Sequence, residues 1–467
     1  MSFAPTMQTR ARVSVLRELL ERERLRVCVV GAGKSGRAAT ALLEDLGAEP
    51  DVLDDAAGAG GISRPFHKSH VDAADLVVLS PGVPRCRPEL QGALAAGKLI
   101  GEVELASWFI DAPMVAVTGT NGKSTTTALI AHGLEVAGLR VFSGGNLGTP
   151  LSDLALATRH GAQVDMAVVE LSSYQLESIV EAQFRVGVWL NLTPDHVERY
   201  ASFAEYGLAK RRILERRAIG GLGIVNAKDS TCARLAMELG GPLRWFSGRG
   251  DSDLAGPMGT VAHLDGTARR CGATGEEHYV IDGPGLPGQH NIENAAASIE
   301  ALRFSGVPPE VVQRALSSFA GLPHRLERVP TDDGRRWIND SKATNVESAV
   351  VALKAVEPPV FLLCGGRGKG VPYRPLVEAA LQSGVVAVYA YGEDRESVRA
   401  AFIEHIPVTT AADLSDVVEL ARRFAPPGST VLLSPACASF DQFMGFEHRG
   451  DVFKTLVLSS CAREGEA

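Results

Sequence analysis

Paired cysteines are missing from this chain of 467 residues. Its seven cysteines, Cys28, Cys86, Cys232, Cys271, Cys364, Cys437 and Cys461, are scattered, none in a CxxC spacing. That excludes a fully paired disulfide framework and fits a reduced, cytoplasmic protein. Long apolar runs are missing too. No stretch offers 18 uninterrupted apolar residues, so no membrane span is expected. The stretch from Arg10 to Arg26 is heavily charged and has no apolar core of signal-peptide type. Positive charge is in short supply: the net charge of −8 argues against bulk attraction to nucleic acid. Any site for an anionic small substrate must therefore be locally basic. Aromatic residues are sparse at 6%, and neither solenoid repeats nor low-complexity tracts occur.

What remains is ordinary globular material, 45% hydrophobic and 22% charged. Ala, Val, Leu and Gly dominate, which suits helices packed on parallel sheets. Short β-branched runs without strict alternation recur: 26–30, 76–79, 114–117, 166–169, 186–190, 360–363, 385–391 and 431–433. Such runs suit strands buried on both faces, with helices between them. The expected class is α/β, in three domains. Residues 1–101 read as a Rossmann-like domain and 102–321 as a central P-loop-type domain with a mainly parallel sheet. Residues 322–467 read as a second Rossmann-like domain. Residues 247–288, rich in glycine and polar side chains, predict an excursion of turns and short strands. The N-terminal segment reads as an exposed helix with Val13, Leu16, Leu19 and Leu20 on one face.

The strongest chemical signal is Gly119-Thr120-Asn121-Gly122-Lys123-Ser124-Thr125, between the strand ending at Val117 and the helical stretch 126–136. Glycines let backbone N–H groups curl around a phosphate, and the helix N-terminus adds positive potential. Lys123 would reach the terminal phosphates and Ser124 would offer a hydroxyl to Mg²⁺. Only two residues separate Gly119 from Gly122, a departure from the usual GxxxxGK[ST] spacing. The alternative is a plain glycine turn with an exposed lysine. Metal ligands belong at neighbouring strand ends. Glu170 ends one such run, and His196 follows another. A carboxylate suits Mg²⁺ better than an imidazole does, so His196 alone reads equally as a packing residue.

A second glycine loop, Gly31-Ala32-Gly33-Lys34-Ser35-Gly36, follows the first strand. Asp54 and Asp55 come about 20 residues on, where a ribose-binding acid belongs. The Ser80-Pro81-Gly82 turn would form a second wall or merely end a strand. A third loop, Cys364 to Gly370, offers Lys369 to an anion or is a simple turn. Cys364 and Cys437 read as inert buried thiols. The run Lys210-Arg211-Arg212 reads by default as a solvated helix face.

With these segments in view, the chain resembles the Mur ligases over nearly all its length, from Val27 to about Lys454. The resemblance rests on the TGTNGKST loop, on 144–148 (GGNLG), 170–176 (ELSSYQL), 191–196 (NLTPDH) and 288–294 (GQHNIEN), and on Pro323-His324-Arg325. Residues 339–345 (NDSKATN) and 434–443 (SPACASFDQF) resemble the D-glutamate-adding members in particular. The resemblance implies ATP-dependent ligation of D-glutamate to UDP-N-acetylmuramoyl-L-alanine in peptidoglycan precursor synthesis. The first domain would hold the UDP group through Gly31, Lys34, Ser35, Gly36, Asp54, Asp55, Ser80, Pro81 and Gly82. The family usually has a hydroxyl residue where Asp55 stands. ATP would meet Gly119 to Thr125, Asn291, Asn294, Arg325, Asp340 and Lys342. One Mg²⁺ would lie by Ser124 and Glu170, and a second by His196 and Lys210. In this family a lysine placed like Lys210 is carbamylated by CO₂, so it becomes an anionic ligand. Asn146 and His196 would position the substrate carboxylate. Thr344, Lys369, Ser439 and the backbone near Phe446 would hold the glutamate carboxylates. The expected partners are small molecules, with the chain a monomer.

Two rival classes account for less of the sequence. A nicotinamide-dependent oxidoreductase explains the first glycine loop and leaves TGTNGKST unexplained. A nucleotide-gated binding protein would not need Lys123, Glu170, His196 and Lys210 together. Folylpolyglutamate synthetases share TGTNGKST and lack the first loop, and the DNPR motif expected of a diaminopimelate ligase is absent.

Overall fold

Each apolar run noted above forms a strand, within a residue or two of its expected ends. The computed structural model describes residues 7–22, 25–55, 64–146, 148–195, 199–248, 258–273, 275–368 and 370–459. The chain groups into two compact units. One comprises Met1–Ile281 with Ile292–Ser317, the other Asp282–Asn291 with Ser318–Ala467.

The first unit carries two sheets. The smaller runs in the order Asp51–Leu53, Val27–Val30, Leu76–Leu79, Leu99–Gly101, all parallel. The larger has nine strands. Its parallel centre places Met114–Thr118 between Phe184–Trp189 and Met166–Glu170. Parallel pairing continues outward to Val141–Gly145 on one side and, through Arg217–Asn226 and Leu243–Ser247, to Gly259–Ala262 on the other. Thr267–Gly272 and Gly275–Val280 then close that edge antiparallel, within the stretch expected to hold short strands. Val115, Ala116 and Val117 are fully buried, as a strand with helices on both faces must be.

Among the described residues the second unit holds six strands: Glu327–Val329, Arg336–Asn339, Thr430–Leu433, Val360–Gly365, Val385–Tyr391 and Val408–Thr410. Only the first pair is antiparallel. Local sequence starts the helices. Ser172 and Gln175 form a reciprocal capping box for Ser173–Glu177, and Ser202 caps Phe203–Glu215.

The N-terminal helix, Met7–Arg22, corrects one expectation. It is not an exposed extension. Val13, Leu16 and Leu20 are buried in the core of the first unit, and Leu19 is partly covered. Arg17 donates to the Trp108 carbonyl at 2.9 Å. Burial of three aliphatic side chains contributes about 1.5–3 kcal/mol each. The helical stripe was visible in the sequence; the surface that covers it was not. Among the described residues, no helix is long and apolar enough to cross a membrane.

Candidate functional site

The loop after Met114–Thr118 is shaped by close backbone approach. Gly122 has φ +84°, and a Cβ there would sit 2.3 Å from the Asn294 amide oxygen. Only glycine fits that corner. Helix Lys123–Val136 begins at the next residue, with Ser124 half-buried and Thr125 buried in its first turn. Thr120 donates its backbone N–H to the Asn191 carbonyl, and its hydroxyl lies 3.2 Å from the Tyr206 phenol. Asn121 and Asn191 exchange hydrogen bonds of 2.9 and 3.1 Å. The loop is thus anchored to the end of the neighbouring strand.

Two lysines converge on it. Lys123 curls back, donating to the carbonyls of Gly119 at 3.0 Å and Thr120 at 2.9 Å. Lys210 donates to the same Gly119 carbonyl at 2.8 Å and lies over the Tyr206 ring. Lys210 is only 2% exposed, and Arg212 is buried against the carbonyls of Leu176 and Ile179. The basic run is therefore not a solvated face; only Arg211 approaches that description. Burial drives the Lys210 pKa well down, and the Lys123 charge pushes the same way. Spacing held a usable signal here: Tyr206 and Lys210 are four apart on one helix face.

Glu170 is paired in register with Val117, two residues before the loop. It is 3% exposed, and its carboxylate accepts from the Asn146 amide at 2.8 Å. The Asn146 N–H also donates to the Glu170 carbonyl. A buried carboxylate with a neutral partner, beside a phosphate-type loop, suits a hard divalent cation. Among the described residues, no three His, Cys, Asp or Glu side chains gather as a ready-made metal cage. His196 lies outside the described residues, as do Lys369 and Leu147 of the GGNLG segment.

The first glycine loop is closed by its own neighbours. A Cβ on Gly36 would lie 1.7 Å from the Gly31 carbonyl oxygen, and one on Gly31 would meet Ser80 at 2.7 Å. Asp54 accepts from the Ala32 N–H at 2.6 Å, and the Ser80 hydroxyl donates to the Gly31 carbonyl at 2.9 Å. Lys34 and Ser35 open helix Lys34–Asp45, Lys34 exposed and Ser35 half-buried. Asp55 pairs with Arg87. Gly82 faces open space, whereas the Pro81 carbonyl accepts from Arg199. Arg199 also pairs with buried Glu177 at 3.1 Å and lies 3.9 Å from the centre of the Tyr174 ring. This buried pair joins the Ser80-Pro81-Gly82 turn to the end of helix Ser173–Glu177. Sequence reasoning missed it, because nothing in the spacing of Arg199 and Glu177 marks them as partners.

In the second unit, Asn291 donates its side chain to the Pro287 carbonyl and is buried. Arg325 stands between two residues in the left-handed region, His324 at φ 62° and Leu326 at φ 46°. Two such non-glycine residues flanking one arginine store strain of order 1–3 kcal/mol each, a mark of functional segments. Asp340 accepts from the Ser434 hydroxyl at 2.8 Å and the Leu326 N–H at 3.2 Å. Burial raises its carboxyl to about 7. Lys342 lies 4.3 Å from the centre of the Phe446 ring, and Thr344 donates to the Lys342 carbonyl. Ser439 is buried.

A residue not anticipated binds these segments together. Fully buried Arg449 donates to the Ser341 hydroxyl and carbonyl and to the Cys437 carbonyl. It thereby ties the NDSKAT and SPACAS segments to helix Phe446–Ser459. Cys364 and Cys437 are buried thiols with raised pKa values, which leaves them unreactive.

A parallel α/β sheet with a glycine loop running into a helix, two amines on that loop and a buried carboxylate beside it define a nucleotide-phosphate enzyme. Residues 117–302 match the Mur ligase middle domain, and residues 324–437 the Mur ligase glutamate ligase domain. The UDP-N-acetylmuramoylalanine--D-glutamate ligase of Myxococcus xanthus is 44% identical over 449 residues, covering 92% of this chain and 98% of the relative. That of Anaeromyxobacter dehalogenans is 41% identical, covering 92% and 97%. Among solved structures, the UDP-N-acetylmuramate-alanine ligase of Thermotoga maritima superposes with a TM-score of 0.58 at 19% identity. That match covers 94% of this chain and all of the other, and it bears on the fold alone. The chain belongs to the Mur ligase family, in the branch of the UDP-N-acetylmuramoylalanine--D-glutamate ligases. It is an ATP-dependent ligase of peptidoglycan synthesis.

Proposed function

We propose that this ligase joins D-glutamate to UDP-N-acetylmuramoyl-L-alanine through an acyl phosphate, in the cytoplasm and as a monomer. The observation that carries the reading is the meeting of Lys123 and Lys210 at one carbonyl, with Glu170 at the adjacent strand end. The substrate's L-alanine carboxylate attacks the γ-phosphorus of ATP, the bond to the β-phosphate oxygen breaks, and ADP leaves. The D-glutamate amine then attacks the acyl carbon and loses a proton, and the tetrahedral centre collapses to amide and phosphate.

In this scheme the Gly119 to Thr125 amides cradle the phosphates, and Lys123 offsets the negative charge that would repel the carboxylate. Ser124 and Glu170 would hold one Mg²⁺, and His196 with carbamylated Lys210 a second. These ions supply charge neutralisation at the phosphates. Burial prepares Lys210 for carbamylation, because a neutral amine is the form that adds to CO₂. Asn146 orients the substrate carboxylate and holds Glu170. Gly31, Lys34, Ser35, Gly36, Asp54, Asp55 and Ser80 to Gly82 serve the UDP group. Asn291, Asn294, Arg325, Asp340 and Lys342 serve ATP. Thr344, Lys369, Ser439 and the Phe446 backbone serve glutamate.

Isotope transfer tests the reaction. With the L-alanine carboxylate labelled with ¹⁸O, one labelled oxygen should appear in the released phosphate. Unlabelled phosphate throughout a complete reaction would rule the acyl phosphate out.

A further inference from the structure

A cleft of 690 Å³ opens at the end of the central sheet opposite the phosphate loop. Its floor is where strands enter: Met114 begins Met114–Thr118, Arg185 lies in Phe184–Trp189, and Arg216 precedes Arg217–Asn226. Gly119 follows the far end of the five-residue strand. At about 3.3 Å per residue, some 16 Å of strand separates the two.

Four guanidinium groups line this cleft: Arg10 and Arg17 from the N-terminal helix, Arg185 and Arg216 from the sheet. Among the described residues, none of the four has a carboxylate within ion-pair distance. Arg17 and Arg216 are instead held by the carbonyls of Trp108 and Ala182, and Arg185 lies over the Phe304 ring. Asp111 and Glu181 also line the cleft, and the Ser14 hydroxyl donates to Glu181. Among the lining residues the balance is four cations against two anions. Burial disfavours the charge on Arg216 most, Arg10 adds to that as a like-charge neighbour, and Glu104, Glu181 and Glu215 favour the charge from near by. Gathering cations this way costs energy that a bound anion relieves. Elsewhere on this chain arginines meet acids, as Arg140 meets Asp165.

We propose that the cleft binds a small molecule bearing two or more phosphates. Guanidinium forks match phosphate oxygens two at a time, and four of them exceed what a single carboxylate needs. The volume suits a small ligand rather than a macromolecule. Trp108 and Ile219 offer apolar wall to whatever carries the phosphates. Because one wall is the N-terminal helix, the ligand ties that helix to the central sheet.

The test is calorimetric titration of inorganic tripolyphosphate, without Mg²⁺, into the full chain carrying Lys123→Ala to weaken the phosphate loop. Saturable binding should persist there. Adding Arg10→Ala with Arg17→Ala should weaken it at least fivefold, since each lost charge-assisted contact is worth roughly tenfold. Arg185→Gln, which leaves the helix untouched, should also weaken it at least fivefold, so loss of the helix cannot explain the effect. Absence of binding in the Lys123→Ala chain, a smaller change in either arginine variant, or equal affinity for citrate would overturn the proposal.

Discussion

The two glycine loops of the first unit leave parallel strands and enter helices in the same way, yet opposite charges hold them. At Gly31 the holding group is an acid: Asp54 accepts from the loop's own N–H, while the Ser80 hydroxyl supports the Gly31 carbonyl. At Gly119 the holding groups are amines, Lys123 and Lys210 on a single carbonyl. The first loop is therefore already satisfied internally, and an anion there must be met by the open N-terminus of helix Lys34–Asp45. The second keeps cationic capacity in hand, because a phosphate can draw Lys123 off its carbonyls. Two ammonium groups at one carbonyl repel, and burial together with the Lys123 charge favours the uncharged form of Lys210.

The largest expected effect comes from removing that buried amine. Lys210→Ala should lower kcat at least a hundredfold, the scale of losing one group that stabilises developing charge. KM for the UDP precursor should hardly move, and added short carboxylates should restore part of the rate. Near-normal activity without them would return Lys210 to a packing role and erase the contrast between the loops.

The opposite pattern is expected at the first loop. Gly36→Ala drives a methyl into the Gly31 carbonyl, so the loop must shift. Stability should fall by about 1–3 kcal/mol, and KM for the UDP precursor should rise about tenfold, with KM for ATP unchanged. Equal changes in both KM values would mean that the loops do not act separately.

A smaller effect sharpens the electrostatic side. Asp340, like Lys210, is pushed toward neutrality by burial, but with the opposite sign of shift. Its folded pKa of about 7 lies above the unfolded aspartate value of about 3.9. The folded chain binds more protons between these limits. Stability is therefore fully present below about pH 4 and is lost as pH rises through 7. Asp340→Asn removes this dependence. At pH 8 its Tm should exceed the parent's by a few degrees, and the gap should narrow at pH 5 and close only toward pH 4. A pH-independent gap would show that Asp340 is ionised throughout.

Much of this was legible along the chain. The apolar runs marked the strands because parallel strands are buried on both faces, and glycines at strand ends marked the loops. Burial of individual charges was not legible. Beyond the four-residue spacing of Tyr206 and Lys210, Lys-Arg-Arg at 210–212 carries no local sign that two of its three side chains face inward, since the packing of helix Phe203–Glu215 on the sheet decides that. The N-terminal stripe of Val13, Leu16 and Leu20 likewise predicted a helix without its partner surface. Arg449 was invisible for the same reason. Its acceptors at Ser341 and Cys437 are brought together only by the sheet order of the second unit.

The most direct test of the central claim is phosphate release with UDP-N-acetylmuramoyl-L-alanine, ATP, Mg²⁺ and a panel of amino acids. A site built to hydrogen-bond two carboxylates leaves its own groups unpaired when one is missing, so D-alanine should fail. L-glutamate should fail as well, because inversion at the α-carbon moves the amine while the carboxylates stay anchored. D-glutamate alone should sustain turnover. Equal turnover with L-lysine, diaminopimelate or L-glutamate would contradict the assignment of this chain to D-glutamate addition.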